Sequence, residues 1–143
     1  MLFIQNKRPF KSVALGLILL FSSHITYAQW TGIASSSDRG GYVVYLDPSS
    51  STAFEGISNI WLLYDFKVIQ QVKTSPYLSY KIQIEIDCRN NIGRILGFMD
   101  FSEPMGKGVP VRRDYSAQNW TPLIPGGKDK ILWDVACLSF RVT

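Results

Sequence analysis

Asp38, Asp47, Asp65, Glu85, Asp87, Asp100, Glu103 and Asp114, eight of the 11 carboxylates of this sequence, have the chemistry for proton transfer. Two carboxylates about 5 to 10 Å apart across a cleft can hydrolyse a glycosidic bond, one as the acid and the other as nucleophile or base. No spacing here singles out two that must converge, and solvent-facing strand ends and turns account for them equally well. The only histidine, His24, lies in a leader described below. Without it the chain has no imidazole for acid–base work or a metal site. Gly106-Lys107-Gly108 lacks the upstream glycine spacing and the following Ser or Thr of a phosphate loop, and reads as a turn. No metal, nucleotide or other cofactor is expected.

Cys88 and Cys137 are the only cysteines. A catalytic or redox thiol would need an activating base or a Cys-x-x-Cys pair, and neither is present. In an exported chain an even count favours pairing. One disulfide is therefore expected, closing a loop of 49 residues and stabilising the fold by on the order of 4 kcal/mol in the chain-entropy picture.

Lys107, Arg112 and Arg113, with Tyr115 and Trp120 close by in sequence, combine cations and aromatic rings as loops that grip an anionic or protein partner do. The plainer account is a solvated loop with its tryptophan against the edge of the core. Asn119-Trp120-Thr121 fits a glycosylation acceptor, which matters only in a host that glycosylates exported chains.

These residues must be positioned by a small set of elements. From Tyr77 to Cys88, apolar Leu78, Tyr80, Ile82, Ile84 and Ile86 alternate with Ser79, Lys81, Gln83, Glu85 and Asp87, the pattern of a strand with one wet face. Cys88 continues the apolar parity, so its sulfur and its partner belong on the core side. Gly41–Asp47 and Asn59–Phe66 are rich in aromatic and β-branched residues and read as strands, with Pro48–Thr52 as a polar turn between them and Gln70–Pro76 as a second connection. Asn90-Asn91-Ile92-Gly93 makes a hairpin into an apolar Arg94–Ser102. The proline- and glycine-rich stretch Glu103–Gly127 predicts an irregular loop with at most one short edge strand. Ile131, Leu132, Val135 and Ala136 recur at helical spacing. A helix ending near Cys137 and stapled to the strand ending at Cys88 gives an α+β fold: a single antiparallel sheet packed against one C-terminal helix, with one disulfide.

Residues 1–28 read as a cleavable signal peptide. Lys7, Arg8 and Lys11 precede an apolar run from Val13 to Phe21, and Thr26-Tyr27-Ala28 suits cleavage before Gln29. The run is shorter than the roughly 20 apolar residues of a membrane span, and no cysteine follows it to accept a lipid. An exported, periplasmic or surface protein that is not a lipoprotein and keeps no membrane span is the expectation, with residues 29–143 as one domain. After cleavage 12 basic and 11 acidic residues remain, so the formal charge falls from +4 to +1. The basic character of the whole chain thus resides largely in the leader and does not indicate nucleic-acid binding.

The order of these features resembles the surface-adhesin protein E family of small exported bacterial proteins. The residues that carry the resemblance are Tyr45-Leu46-Asp47-Pro48-Ser49, Leu62-Leu63-Tyr64-Asp65-Phe66, Glu85-Ile86-Asp87-Cys88, Glu103-Pro104-Met105-Gly106-Lys107-Gly108, Trp120-Thr121-Pro122 and Leu132 to Cys137. It implies an adhesin-like binding module without catalysis, with partners among host extracellular-matrix or serum proteins or a component of the envelope. A secreted or periplasmic inhibitor of a host or rival enzyme, acting through a rigid loop, and a carboxylate hydrolase stay open beside it.

Overall fold

A computed structural model describes residues 29–124 and 129–138; residues 1–28, read from the sequence as a signal peptide, lie outside the described residues. Seven strands form one antiparallel sheet: β1 (Thr31–Ser36), β2 (Tyr42–Phe54), β3 (Ile57–Val72), β4 (Ser75–Asp87), β5 (Ile92–Phe101), β6 (Pro110–Asp114) and β7 (Thr121–Pro122). The first six lie in chain order, and β7 shares the outer edge of β5 with β6. The helix α1 (Lys130–Cys137) follows.

The central hairpins are longer than their apolar cores suggest. Pro48–Thr52 does not reverse the chain: it is a register irregularity inside β2. Its cause is Asp47, whose carboxylate accepts from the backbone N–H groups of Ser49 (3.0 Å) and Ser50 (3.3 Å) and from both hydroxyls. Those bonds satisfy the bulged backbone locally, and β2 resumes pairing at Thr52. The reversal comes at Glu55-Gly56, both at positive φ (48° and 82°), as a twisted two-residue hairpin turn requires. Gly56 has a second reason to be glycine, since a Cβ there would sit 2.8 Å from Arg89 Nε. At the next turn Asp87 accepts from the backbone N–H groups of Arg89 (2.9 Å) and Asn90 (3.1 Å) and from the Asn90 amide (2.7 Å).

The core lies on one face, where Val44, Leu46, Ile60, Leu62, Ile82, Ile84 and Ile86 pack with Ala136 and Cys137 of α1. Cys88 and Cys137 are joined, with 5.6 Å between their Cα atoms. Two further bonds dock the helix: Ser58 Oγ donates to the otherwise orphaned carbonyl of Ala136 (2.6 Å), and Trp133 Nε1 donates to Asn91 Oδ1 (2.9 Å).

The alternate face is not simply wet. Leu63 and Ser79 are fully buried on it, because the segment Ser102–Val109 folds back over β3 and β4. Met105 N–H donates to Asp65 Oδ1 (2.6 Å), Gly106 N–H to Ser79 Oγ (2.9 Å), and Ser79 Oγ to the Glu103 carbonyl (2.6 Å). This stretch is a fixed cover over the sheet.

Candidate functional site

Each central strand changes character along the helix face. On β2, Leu46 and Val44 give way to Tyr42; on β3, Ile60 and Leu62 give way to Tyr64 and Phe66; on β4, Ile86, Ile84 and Ile82 give way to Tyr80. The register pairs Leu62 with Ile82, Tyr64 with Tyr80 and Tyr42 with Phe66, so all three changes fall at the same end of the sheet. The helix covers the aliphatic end. A trough opens over the aromatic end.

The rings brace one another. Tyr64 and Tyr80 stack at 4.6 Å with 11° between planes, Tyr42 leans on Tyr64 and Phe66 at 5.6 Å, and Phe66 meets the edge of Tyr77 at 5.8 Å. Ring faces are thus turned inward on each other. The hydroxyls of Tyr42, Tyr64 and Tyr80 bond to no described residue, and all three side chains are partly exposed. Burial pushes the Tyr80 hydroxyl well above its usual range, Tyr64 adds to the rise, and the Arg39 guanidinium opposes it. Burial, with Tyr42 and Asp129 nearby, raises Tyr64 as well. Both stay neutral at physiological pH and can donate hydrogen bonds.

Two depressions of about 260 Å³ each make up the trough and share Arg39 and Tyr80. One is lined by Tyr42, Tyr64 and Phe66 beside Asp38, the other by Tyr77, Ile82 and Phe98 beside Asp100 and Arg112. A third, of about 370 Å³, continues past Tyr42 and Tyr64 to Asp129, Ile131 and Leu132. Arg112 forms the far wall: its Nε donates to Asp100 Oδ2 (2.7 Å) and its guanidinium lies 4.6 Å from the Phe98 ring centre. Asp100 is only 2% exposed, so the charge of Arg112 is largely answered by its partner.

The five residues singled out from the sequence are not brought together. Arg112 alone lines the trough. Arg113, its neighbour on β6, pairs with Met99 and projects to the alternate face, as successive strand residues must. Trp120 lies 4.5 Å under the guanidinium of Arg94, which is bonded to Glu85 of that same face (2.6 Å). Tyr115 is exposed against Gly97, and Lys107 is exposed beyond the Pro104–Gly106 turn. Tyr42, Tyr64, Tyr80 and Arg39 went unremarked as site residues. Their signal in the sequence was the aliphatic-to-aromatic change along three strands.

Six of the eight carboxylates singled out from the sequence are occupied separately. Asp47 and Asp87 organise turns, Asp65 anchors the Met105 segment, Glu85 and Asp100 hold arginines, and Asp114 accepts from Ser116 N–H (2.8 Å).

The sequence pattern of the family described as surface-adhesin protein E matches residues 30–138. The chain belongs to that family. The fold is similar to that of Haemophilus influenzae protein E, at 15% identity and a TM-score of 0.55, covering 78% of this chain and 95% of that one. A second crystal form of the same protein gives 16%, 0.52, 77% and 98%, and protein E from non-typeable Haemophilus influenzae gives 15%, 0.50, 80% and 87%. At these identities the likeness is one of fold. No curated protein matches the chain. The family is one of surface adhesins, and among the described residues no helix is long and apolar enough to cross a membrane.

Proposed function

We propose that this family member is an exported binding module of the cell envelope or surface that recognises a protein partner through the aromatic trough, without catalysis. The observation that carries this reading is the division of the helix face: one end sealed by α1, the other left as a run of depressions lined by tyrosines and Arg39. Partially exposed tyrosines and an arginine are the residue types that concentrate binding energy at protein interfaces. Six of the eight carboxylates singled out from the sequence are each engaged with a different partner, which supports binding rather than hydrolysis. The Ser102–Val109 segment, tied down over the sheet, does not project as an inhibitory loop would. Of the residues proposed from sequence, Arg112 belongs to this surface, and host matrix or serum proteins are the partner class the family suggests.

The test is solid-phase binding of residues 29–143 to a panel of immobilised matrix and serum proteins, comparing wild type with Tyr42→Phe/Tyr64→Phe/Tyr80→Phe. That variant keeps the ring stack and removes three donors, so its melting curve should hardly move while association weakens by about tenfold or more. Unchanged binding in the triple variant, with loss on Trp120→Ala, would move the contact to the alternate face.

A further inference from the structure

Arg39 is the cation of the trough that no described carboxylate holds. Among the described residues it forms no ion pair, whereas Arg112 and Arg94 are each held by a carboxylate. It lines both 260 Å³ depressions, and it is the only arginine that does so. Its backbone is fixed in the left-handed region (φ 52°) by the β1–β2 turn, and Gln70 Nε2 donates to its carbonyl at 2.9 Å. At the following Gly40 (φ 80°) an added Cβ would meet the Val68 side chain of β3 unless that side chain shifted. Other left-handed residues, such as Glu55, Lys73 and Asn91, also occupy hairpin turns, so the turn alone explains the φ. What distinguishes Arg39 is that this turn lies against β3, so that Arg39 lines both depressions together with Tyr80.

We propose that Arg39 anchors a carboxylate of the bound partner, and that the occupant is a protein segment carrying Asp or Glu next to an apolar side chain. The guanidinium supplies charge-assisted donors, the neutral hydroxyls of Tyr80 and Tyr64 add two more, and the flanking Val72, Ile82 and Phe98 receive the apolar neighbour. Asp38 shares one depression with Arg39 and Asp129 stands at the far end, so a carboxylate is best received in the other depression, which Arg39 lines without Asp38 and where Asp100 is held by Arg112. An acidic sugar offers the same carboxylate. It would prefer open ring faces to stack on, and here Tyr64 and Tyr80 cover each other while Arg112 lies against Phe98. This assignment rests on the trough being the binding surface.

Nuclear magnetic resonance titration of 15N-labelled residues 29–143 tests it. The probes are a capped pentapeptide with one glutamate between two leucines, its glutamine counterpart and N-acetylneuraminic acid. The glutamate peptide should shift the Arg39 side-chain and Tyr80 signals, and bind about tenfold more tightly than the glutamine peptide. Arg39→Gln should abolish that preference and Arg39→Lys should restore part of it. Equal binding of the two peptides, or shifts confined to Trp120 and Arg113, would overturn the assignment. So would saturation by N-acetylneuraminic acid with no peptide binding, which would make the occupant a glycan. If Arg39→Gln leaves panel binding intact while the triple tyrosine variant loses it, the anchor is wrong and the trough survives as the surface.

Discussion

The two ends of the helix face are made from the same strands with the same residue parity, yet they have opposite fates. At one end Ile60, Leu62 and Ile86 are fully buried beneath a helix held by a disulfide, a hydroxyl-to-carbonyl bond and an indole bond. At the other, Tyr42, Tyr64 and Tyr80 brace one another with their rings and stay partly exposed. The lesson is that tyrosines on the core parity of neighbouring strands can cover apolar surface with one another's rings beyond the reach of the helix. Stability should reside at the sealed end and recognition at the open one.

The comparison is broken most forcefully at the sealed end. Leu62→Ala should cost about 3 to 5 kcal/mol, read from the urea midpoint at constant slope. By contrast the tyrosine-to-phenylalanine changes at the open end should shift that midpoint barely at all. If both ends responded alike, the division of labour would be wrong. Removing the bridge with Cys88→Ser/Cys137→Ser should cost on the order of 3 kcal/mol. It should also loosen α1, detected as faster amide exchange at Val135 and Ala136. Tyr64 and Tyr80 should keep their ring contact in that variant.

A smaller effect concerns acid. Burial raises the Asp47 carboxyl, but the hydrogen bonds from Ser49 and Ser50 outweigh it and hold the group below its usual range; Asn90 does the same, chiefly through its side-chain amide, for Asp87. A carboxyl lowered by folding adds stability in full above its unfolded value of about 4 and loses it as pH falls through the lowered native value. Both residues organise turns toward the sealed end. Urea midpoints should therefore drop between about pH 5 and pH 2, and Asp47→Asn should flatten that drop. An acid response unaltered by Asp47→Asn would remove the bulge from the account.

Much of the fold was legible because it depends on local pattern. The parity of Tyr77–Cys88 predicts a strand with its sulfur inward, and the spacing of Ile131, Leu132, Val135 and Ala136 predicts the helix that meets it. Pro48–Thr52 carries real turn chemistry, but the bonds to Asp47 spend it on a bulge, which no local rule separates from a reversal. The edge strand β1 escaped notice because Thr31–Ser36 is small and mostly polar. The Ser79 face reads as wet until the Met105 segment, more than twenty residues later, lies down on it. The site was less legible still. Arg112 and Arg113 look like one basic patch in sequence and stand on opposite faces in the sheet. Tyr42, Tyr64 and Tyr80 become a cluster only once the register of three strands is known.

Hydrogen–deuterium exchange on residues 29–143, free and bound to whichever matrix or serum protein the panel captures, tests most directly whether recognition resides at the open end. Protection should concentrate on residues 38–44, 64–72 and 77–82, with Asp114–Trp120 and α1 unchanged. Protection centred on Asp114–Trp120 or on the Met105 segment, with the tyrosine strands unaffected, would contradict the account.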